Sequence, residues 1–293
     1  MPDYAQSRVA RPRPRRQFCS WRVLSLGAFI GVTVFGMDSV SAQWIGYSTA
    51  NVPRLEDGTV DMTAPVPRTA AGRPDLSGIW ISDVSEPGEV TPSDGFTLPS
   101  SRYMANMGAE LPDGLPYQDW LVPIVAERTA NQALDDPHIR CLPDSFLRAY
   151  GLPHMLKFVQ SSDLLVVLNE MNAGYRQVFL DGRPLPDEPS PSWQGYSSAS
   201  WSGDTLVIDT IGLRDDTWID WNGSVLTEAA RVREEITRTD FGHMQIRVTV
   251  DDPRAYTAPW SVTLTQRIVV DAELIDEVCL ENEQFVERMQ LPY

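Results

Sequence analysis

The sequence is poor in the residues that most often carry chemistry. It holds three histidines and three cysteines in 293 residues. His138, His154 and His243 have no spacing that would complete a ligand set with the cysteines, which argues against a metal site built on them. No serine sits in a Gly-x-Ser-x-Gly elbow, so Ser-His-Asp hydrolysis gains no support. No glycine-rich phosphate loop occurs, which argues against a nucleotide, and no other cofactor is called for. Basic residues are outnumbered by acidic ones, 24 to 40, for a formal net charge of −16. Phosphate binding requires a basic surface, so this balance excludes nucleic acid as a partner and disfavours an anionic membrane surface.

What is present begins with a leader. Six arginines (Arg8, Arg11, Arg13, Arg15, Arg16, Arg22) precede an apolar run over 23–37, and Val40-Ser41-Ala42 fits a small-residue cleavage site. The expectation is a signal peptide over 1–42. The run of about 15 residues is short for a bilayer span of ~20, so no membrane anchor is expected after cleavage. Arg15-Arg16-Gln17-Phe18 resembles a twin-arginine signal but lacks the residues expected after the Phe, which favours the general secretory route. Cleavage would take six of the 24 basic residues and two of the 40 acidic ones, leaving 18 and 38, or −20 over 251 residues. Cys19 leaves with the leader. An exported chain with two remaining cysteines, Cys141 and Cys279, is expected to join them in a disulfide, two free thiols being the alternative.

The stretch 231–270 sets the architecture. Val232, Glu234, Ile236 and Arg238 alternate along one strand, then Met244, Ile246, Val248 and Val250 along a second. Asp240, Phe241 and Gly242 make the turn between them, and Val262, Leu264, Gln266, Ile268 and Val270 repeat the period. The intervening positions are polar, so each strand has one wet and one dry face. Strands are also expected over 75–81, 155–160, 163–170, 175–181 and 274–280. A hairpin joins 196–201 to 205–211 through Gly203-Asp204, with Trp201 opposite Leu206, Ala199 opposite Ile208 and Ser197 opposite Thr210.

Helices are few: one over 119–134 and a short one over 227–230. Loops rich in proline and glycine cover 87–116 and 182–195. The expected fold is mainly β, an antiparallel meander barrel of about 8–10 strands over 76–281. An extended arm over 43–75 precedes it and a tail over 282–293 follows. Both faces of 163–170 are apolar, so a sandwich remains the alternative.

Several blocks carry a resemblance. They are Gly72-Arg73-Pro74-Asp75-Leu76-Ser77-Gly78-Ile79-Trp80, then 176–183 ending in Asp181-Gly182-Arg183, then Gly195-Tyr196-Ser197 with 201–210, and Asp252-Pro253 with Pro259-Trp260. In these the chain resembles a largely uncharacterised family of exported bacterial proteins with a lipocalin-like, calycin-type barrel. The resemblance implies a periplasmic location, and a Trp80 that closes one end of the barrel, as in the first strand of lipocalin-like proteins. It supplies no catalytic residues to carry over.

Three polar residues interrupt the dry face: Glu234, Arg238 and Gln266. Side chains that the strand period turns inward lose hydration, so they persist only when paired, hydrogen-bonded or engaged by a ligand. Glu234 and Arg238 can equally be a structural pair near a barrel mouth. Arg176 alternates with Val178 and Leu180 and would offer a fixed guanidinium to an oxyanion. His154 and Tyr196 fall at strand starts, where a rim is expected, and His154 is the proton carrier of that set. Trp218 and Trp221 lie on a loop, as lid contacts to a ligand or as a plug on the core. Trp201 joins them as a candidate substrate contact. Asp181-Gly182-Arg183 reads as a turn in which the aspartate caps backbone amides.

Two functions of different class follow. One is cofactor-free acid–base chemistry of the lyase, isomerase or hydratase type on a small apolar or aromatic molecule inside the barrel. Glu234, Arg238 and His154 would be its catalytic groups. The other is a periplasmic binding or carrier protein that uses the same cavity without chemistry. A third reading makes the barrel an interaction module with an acidic surface. The inward charges on one strand tilt the expectation toward the enzyme.

Overall fold

A computed structural model describes residues 48–83, 88–90, 98–131 and 134–279. The expected leader and C-terminal tail lie outside the described residues. Nine strands close into a barrel: β1 (Gly78–Ser82), β2 (Leu156–Gln160), β3 (Leu164–Asn169), β4 (Tyr175–Phe179), β5 (Tyr196–Ser202), β6 (Thr205–Ile211), β7 (Arg231–Arg238), β8 (His243–Asp251) and β9 (Trp260–Val269). They follow one another around the ring, and β1 completes it between β9 and β2. Closure excludes the sandwich.

The inward alternation is as the sequence dictates. Val232, Glu234, Ile236 and Arg238 of β7 are buried, as are Met244, Ile246, Val248 and Val250 of β8 and Trp260, Val262, Leu264, Gln266 and Ile268 of β9. Burying each of the large aliphatic side chains contributes roughly 1.5–3 kcal/mol. The hairpin β5–β6 has the expected register, including Ser197 opposite Thr210 and Trp201 opposite Leu206.

One seam departs from the expected antiparallel meander. Strands that alternate in direction cannot close an odd-numbered ring, so nine strands require one parallel pair. It lies between β4 and β5, where only Val178↔Ser197 and Phe179↔Ser198 are in register. Parallel neighbours need a long crossover rather than a tight turn, and the proline-rich connection 180–195 supplies one. Gly195 ends it at φ +65°, where a Cβ would stand 2.7 Å from the Ile211 carbonyl oxygen, so only glycine fits.

Two further expectations are corrected. Residues 274–279 form no strand: Asp271, at φ 57°, turns the chain out after β9, and the ring is already complete without it. Residues 227–230 form a turn rather than a helix, because Asp252 takes the Thr227 amide and hydroxyl at 2.7 and 2.8 Å. Among the described residues three short α-helices are present, α1 (Arg102–Ala105), α2 (Leu121–Ala130) and α3 (Phe146–Ala149), with 3-10 turns at Pro137–Arg140 and Met171–Ala173. The loop at 213–224 contributes Thr217–Trp218 to a two-stranded ladder with Val225–Leu226.

The two ends of the barrel differ. At the closed end Trp80 is fully buried and its Nε1 donates to the Leu76 carbonyl at 3.0 Å. Arg238 stacks over that ring at 4.9 Å, beneath the β7–β8 turn. The chain before β1 crosses this turn, accepting from the Phe241 and Gly242 amides through the carbonyls of Ala64 and Met62. At the mouth, α3 enters the barrel with Phe146, Leu147, Ala149 and Tyr150 buried. The Cys141–Cys279 disulfide ties the segment before α3 to the stretch after β9, across a sequence separation of 138. Closing so long a loop contributes on the order of 4 kcal/mol in the chain-entropy account.

Candidate functional site

Four neighbouring strands each send one polar side chain inward at the mouth end: Arg176 from β4, Ser197 from β5, Thr210 from β6 and Glu234 from β7. All four are buried, Glu234 and Ser197 completely. Arg176 reaches Glu234 through Nη2 to Oε2 at 2.5 Å and Nη1 to Oε1 at 3.0 Å, a two-pronged ion pair. Its Nε and Nη2 donate to Ser197 Oγ at 3.3 and 3.1 Å, and Nη2 also to Thr210 Oγ1 at 2.9 Å. The two hydroxyls are themselves 2.9 Å apart.

Tyr150, which follows α3, completes the network from above. Its hydroxyl donates to Glu234 Oε1 at 2.8 Å and accepts from Arg176 Nη1 at 3.2 Å. Gln266 holds Tyr150 in place by donating to its backbone carbonyl at 2.8 Å, and Phe146 lies 3.7 Å from the Arg176 guanidinium. Burial, with the Glu234 charge adding to it, pushes the Tyr150 hydroxyl well above the usual phenol range. Burial is the largest single influence on Arg176 and works against its charge, but Glu234 and Tyr150 together outweigh it and raise the guanidinium's hold on its proton. The pair is fully hydrogen-bonded, the condition under which a buried pair is tolerated.

The outward side of α3 is held by a second set of charges. Arg148 grips both oxygens of Asp136, at 2.8 and 2.6 Å, and lies 3.2 Å from Asp144. Asp144 in turn bonds Nδ1 of His138 at 2.9 Å. That bond, working against burial, raises the His138 pKa. The Asp144 carbonyl accepts from Gln194 Nε2 at 2.7 Å, which links the plug to the end of the 180–195 crossover.

Two openings meet above the network. A small cavity of about 60 Å³ lies against Phe146, Tyr150, Leu156, Val167, Asn169 and Arg176. Beside it, where β4 and β5 splay apart, a cleft of about 580 Å³ is lined by Tyr175, Arg176, Phe179, Trp193, Gln194 and Tyr196, among others. Phe179 and Tyr196 pack with ring centroids 5.2 Å apart on its wall. The barrel thus offers a side entrance at its parallel seam. Its top is occupied by α3.

The residues singled out from the sequence divide between the two ends. Glu234 and Arg176 meet directly, Gln266 supports Tyr150, and Tyr196 lines the cleft. Arg238 does not pair with Glu234. It donates to the backbone carbonyls of Asp240, Asp75 and Phe241 at 3.2, 2.5 and 2.5 Å, and burial pushes its pKa down to about 10. His154 is half-buried, with its Nδ1 unbonded and its pKa lowered by burial. Trp201 lies opposite Leu206 with the Arg73 guanidinium 5.9 Å from its ring, and is not among the cleft residues. Trp218 is buried against Arg128, whose guanidinium stands 4.5 Å from its ring, and Trp221 packs on Met104, Leu152 and Met171. Asp181 and Arg183 form the expected local turn, the Arg183 amide donating to Asp181 Oδ1 at 3.2 Å.

Sequence reasoning missed Tyr150, Phe146, Trp193, Gln194 and the set His138, Asp144 and Arg148. Ser197 and Thr210 did leave a signal: the hairpin register set two hydroxyls opposite each other on an apolar face. Tyr150 left none, because it follows an irregular stretch with no period. Among the described residues, no group of three or more His, Cys, Asp or Glu is arranged to hold a metal ion. The chain matches no protein-family model and no curated protein.

Proposed function

We propose that the protein is exported to the periplasm and there binds a small apolar or aromatic molecule in the cleft at the β4–β5 seam. The observation that carries this reading is the seam. Two residue pairs close it, and beside them opens a space of about 580 Å³ walled by Phe179, Trp193 and Tyr196. Ligand sites of small molecules run from roughly 300 to 1,000 Å³ and combine apolar walls with a few fixed polar groups. Support for export comes from the leader-like residues 1–42 and from the Cys141–Cys279 disulfide, a bond that persists in oxidising compartments.

Native mass spectrometry of protein purified from a periplasmic extract tests this reading. A copurifying small molecule is expected, and Trp193→Ala and Tyr196→Ala are each expected to lower its affinity about tenfold, the effect of losing one aromatic contact of ~1.4 kcal/mol. Unchanged occupancy in both variants would remove the cleft from the reading.

Cofactor-free acid–base turnover is the second reading, and one contact favours it. Tyr150 lines the small cavity and its hydroxyl donates to Glu234, so this side chain links the cavity to the carboxylate. Arg176, whose donors are already engaged, would hold the Glu234 carboxylate in position for proton transfer; Arg238, at the closed end, is too far from Glu234 to share in it. Glu234→Gln is expected to abolish turnover while ligand still binds. Undiminished turnover in that variant ends the assignment.

A further inference from the structure

We infer that the cleft selects a ligand with no negative charge, one whose polar group is a hydroxyl, carbonyl or amide. This rests on the binding reading above and narrows its chemical class. A buried arginine at the base of a pocket ordinarily suggests a carboxylate or phosphate ligand, and the hydrogen bonds here oppose that. A guanidinium has five N–H donors. Those of Arg176 face six acceptor contacts: Ser197 Oγ from Nε, Tyr150 Oη and Glu234 Oε1 from Nη1, and Ser197 Oγ, Thr210 Oγ1 and Glu234 Oε2 from Nη2. Phe146 covers the guanidinium at 3.7 Å. No donor remains for a ligand oxyanion.

The charges around the cavity are also balanced. Glu234, behind the lining, neutralises Arg176, and the carboxylate that does line the small cavity, Asp144, faces Arg148 and His138. Arg183 and Arg214 stack on the Phe179 and Trp193 rings at 3.9 and 4.2 Å, yet neither lines the cleft, and Arg183 is paired with Asp181. An entering carboxylate would lose its water, find no cation on the lining with a free donor to replace it, and approach a chain of formal charge −16. Uncharged groups remain on the lining. Asn169, Asn172 and Gln194 present carboxamides, and the Gln194 carboxamide is oriented by its bond to the Asp144 carbonyl. These groups suit a neutral hydrogen-bonding head on an apolar or aromatic body.

Two probes of matched shape decide the matter: 2-naphthalenemethanol and 2-naphthoate, titrated into the full folded protein by calorimetry at neutral pH. The alcohol is expected to bind about tenfold or more tightly than the carboxylate. Equal or tighter binding of the carboxylate overturns the charge inference and leaves the cleft standing. Binding of neither probe overturns both. Glu234→Gln frees the Arg176 charge and is expected to reverse the preference, and an unreversed preference in folded protein counts against the inference. Should that variant fail to fold, Arg176→Gln with Glu234→Gln removes both charges and is expected to keep the wild-type order; a reversal there overturns the inference as well.

Discussion

The barrel buries a guanidinium near each end, and the two are stabilised in different ways. Arg176 at the mouth has a carboxylate, three hydroxyls and an aromatic face. Arg238 at the closed end has three backbone carbonyls and the rings of Trp80 and Phe241, at 4.9 and 5.3 Å, and no carboxylate partner among the described residues. The consequence is opposite in sign: the proton of Arg176 is held more tightly than usual and that of Arg238 less. Carbonyl dipoles satisfy N–H donors without returning charge, and that suffices where the role is to fasten the β7–β8 turn to the chain before β1. A carboxylate also fixes position and charge, which suits a place that a ligand reaches. The comparison teaches that an inward charge on a strand does not by itself locate a site; the partner does.

The largest expected effect breaks the mouth pair. Glu234→Ala leaves the Arg176 charge buried and alone, which should cost about 3–5 kcal/mol of unfolding free energy in a urea titration. Replacing both, Arg176→Met with Glu234→Leu, should lie near wild type, because apolar side chains of similar volume need no compensation. Equal losses in the single and double variants would show that something other than the unpaired charge is responsible. At the closed end, Arg238→Met should cost about 2 kcal/mol, since three carbonyls lose a charged donor but lie close enough to the surface for water to replace part of it. Ligand binding at the cleft should be unaffected, and a binding defect there would erase the distinction between the ends. Tyr150→Phe is milder, about 1 kcal/mol, because Glu234 keeps both contacts to Arg176.

These residues were unequally legible in the sequence. Alternation along 231–270 placed Glu234, Arg238 and Gln266 inside, because a strand facing one core has no other way to bury Val232, Ile236 and their neighbours. Alternation gives direction but not level or partner. Glu234 and Arg238 share a strand face and still lie apart, while Arg176 and Glu234 belong to strands separated by β5 and β6 and touch across the interior. Pairing of that kind follows from barrel closure and strand tilt, which no local pattern records. Tyr150 and the α3 plug were illegible for a related reason. Their placement is set by Arg148, Asp136 and Asp144 acting across an irregular segment, and by the bond from Gln266. The parallel seam followed from counting once nine strands were known, but an expected range of 8–10 strands left its parity open.

The smallest effect tests whether the charges outside α3 steady the mouth as the carbonyls steady the closed end. His138 gains its partner Asp144 on folding, so its folded pKa lies above the unfolded value of about 6.5. The stabilisation it contributes is therefore complete below that unfolded value and is lost as pH rises through the folded one. His154 runs the other way: burial lowers its pKa, so its contribution is present above the unfolded value and lost as pH falls through the folded one. Comparing wild type with His138→Gln isolates the first. The difference in urea midpoint between the two proteins should be largest near pH 5.5 and shrink toward pH 8.5, since the charged ring holds Asp144 more strongly than the neutral one. A difference independent of pH would mean that His138 holds α3 by packing alone, and the mouth would then be set by the Arg148–Asp136 pair without help from the imidazole.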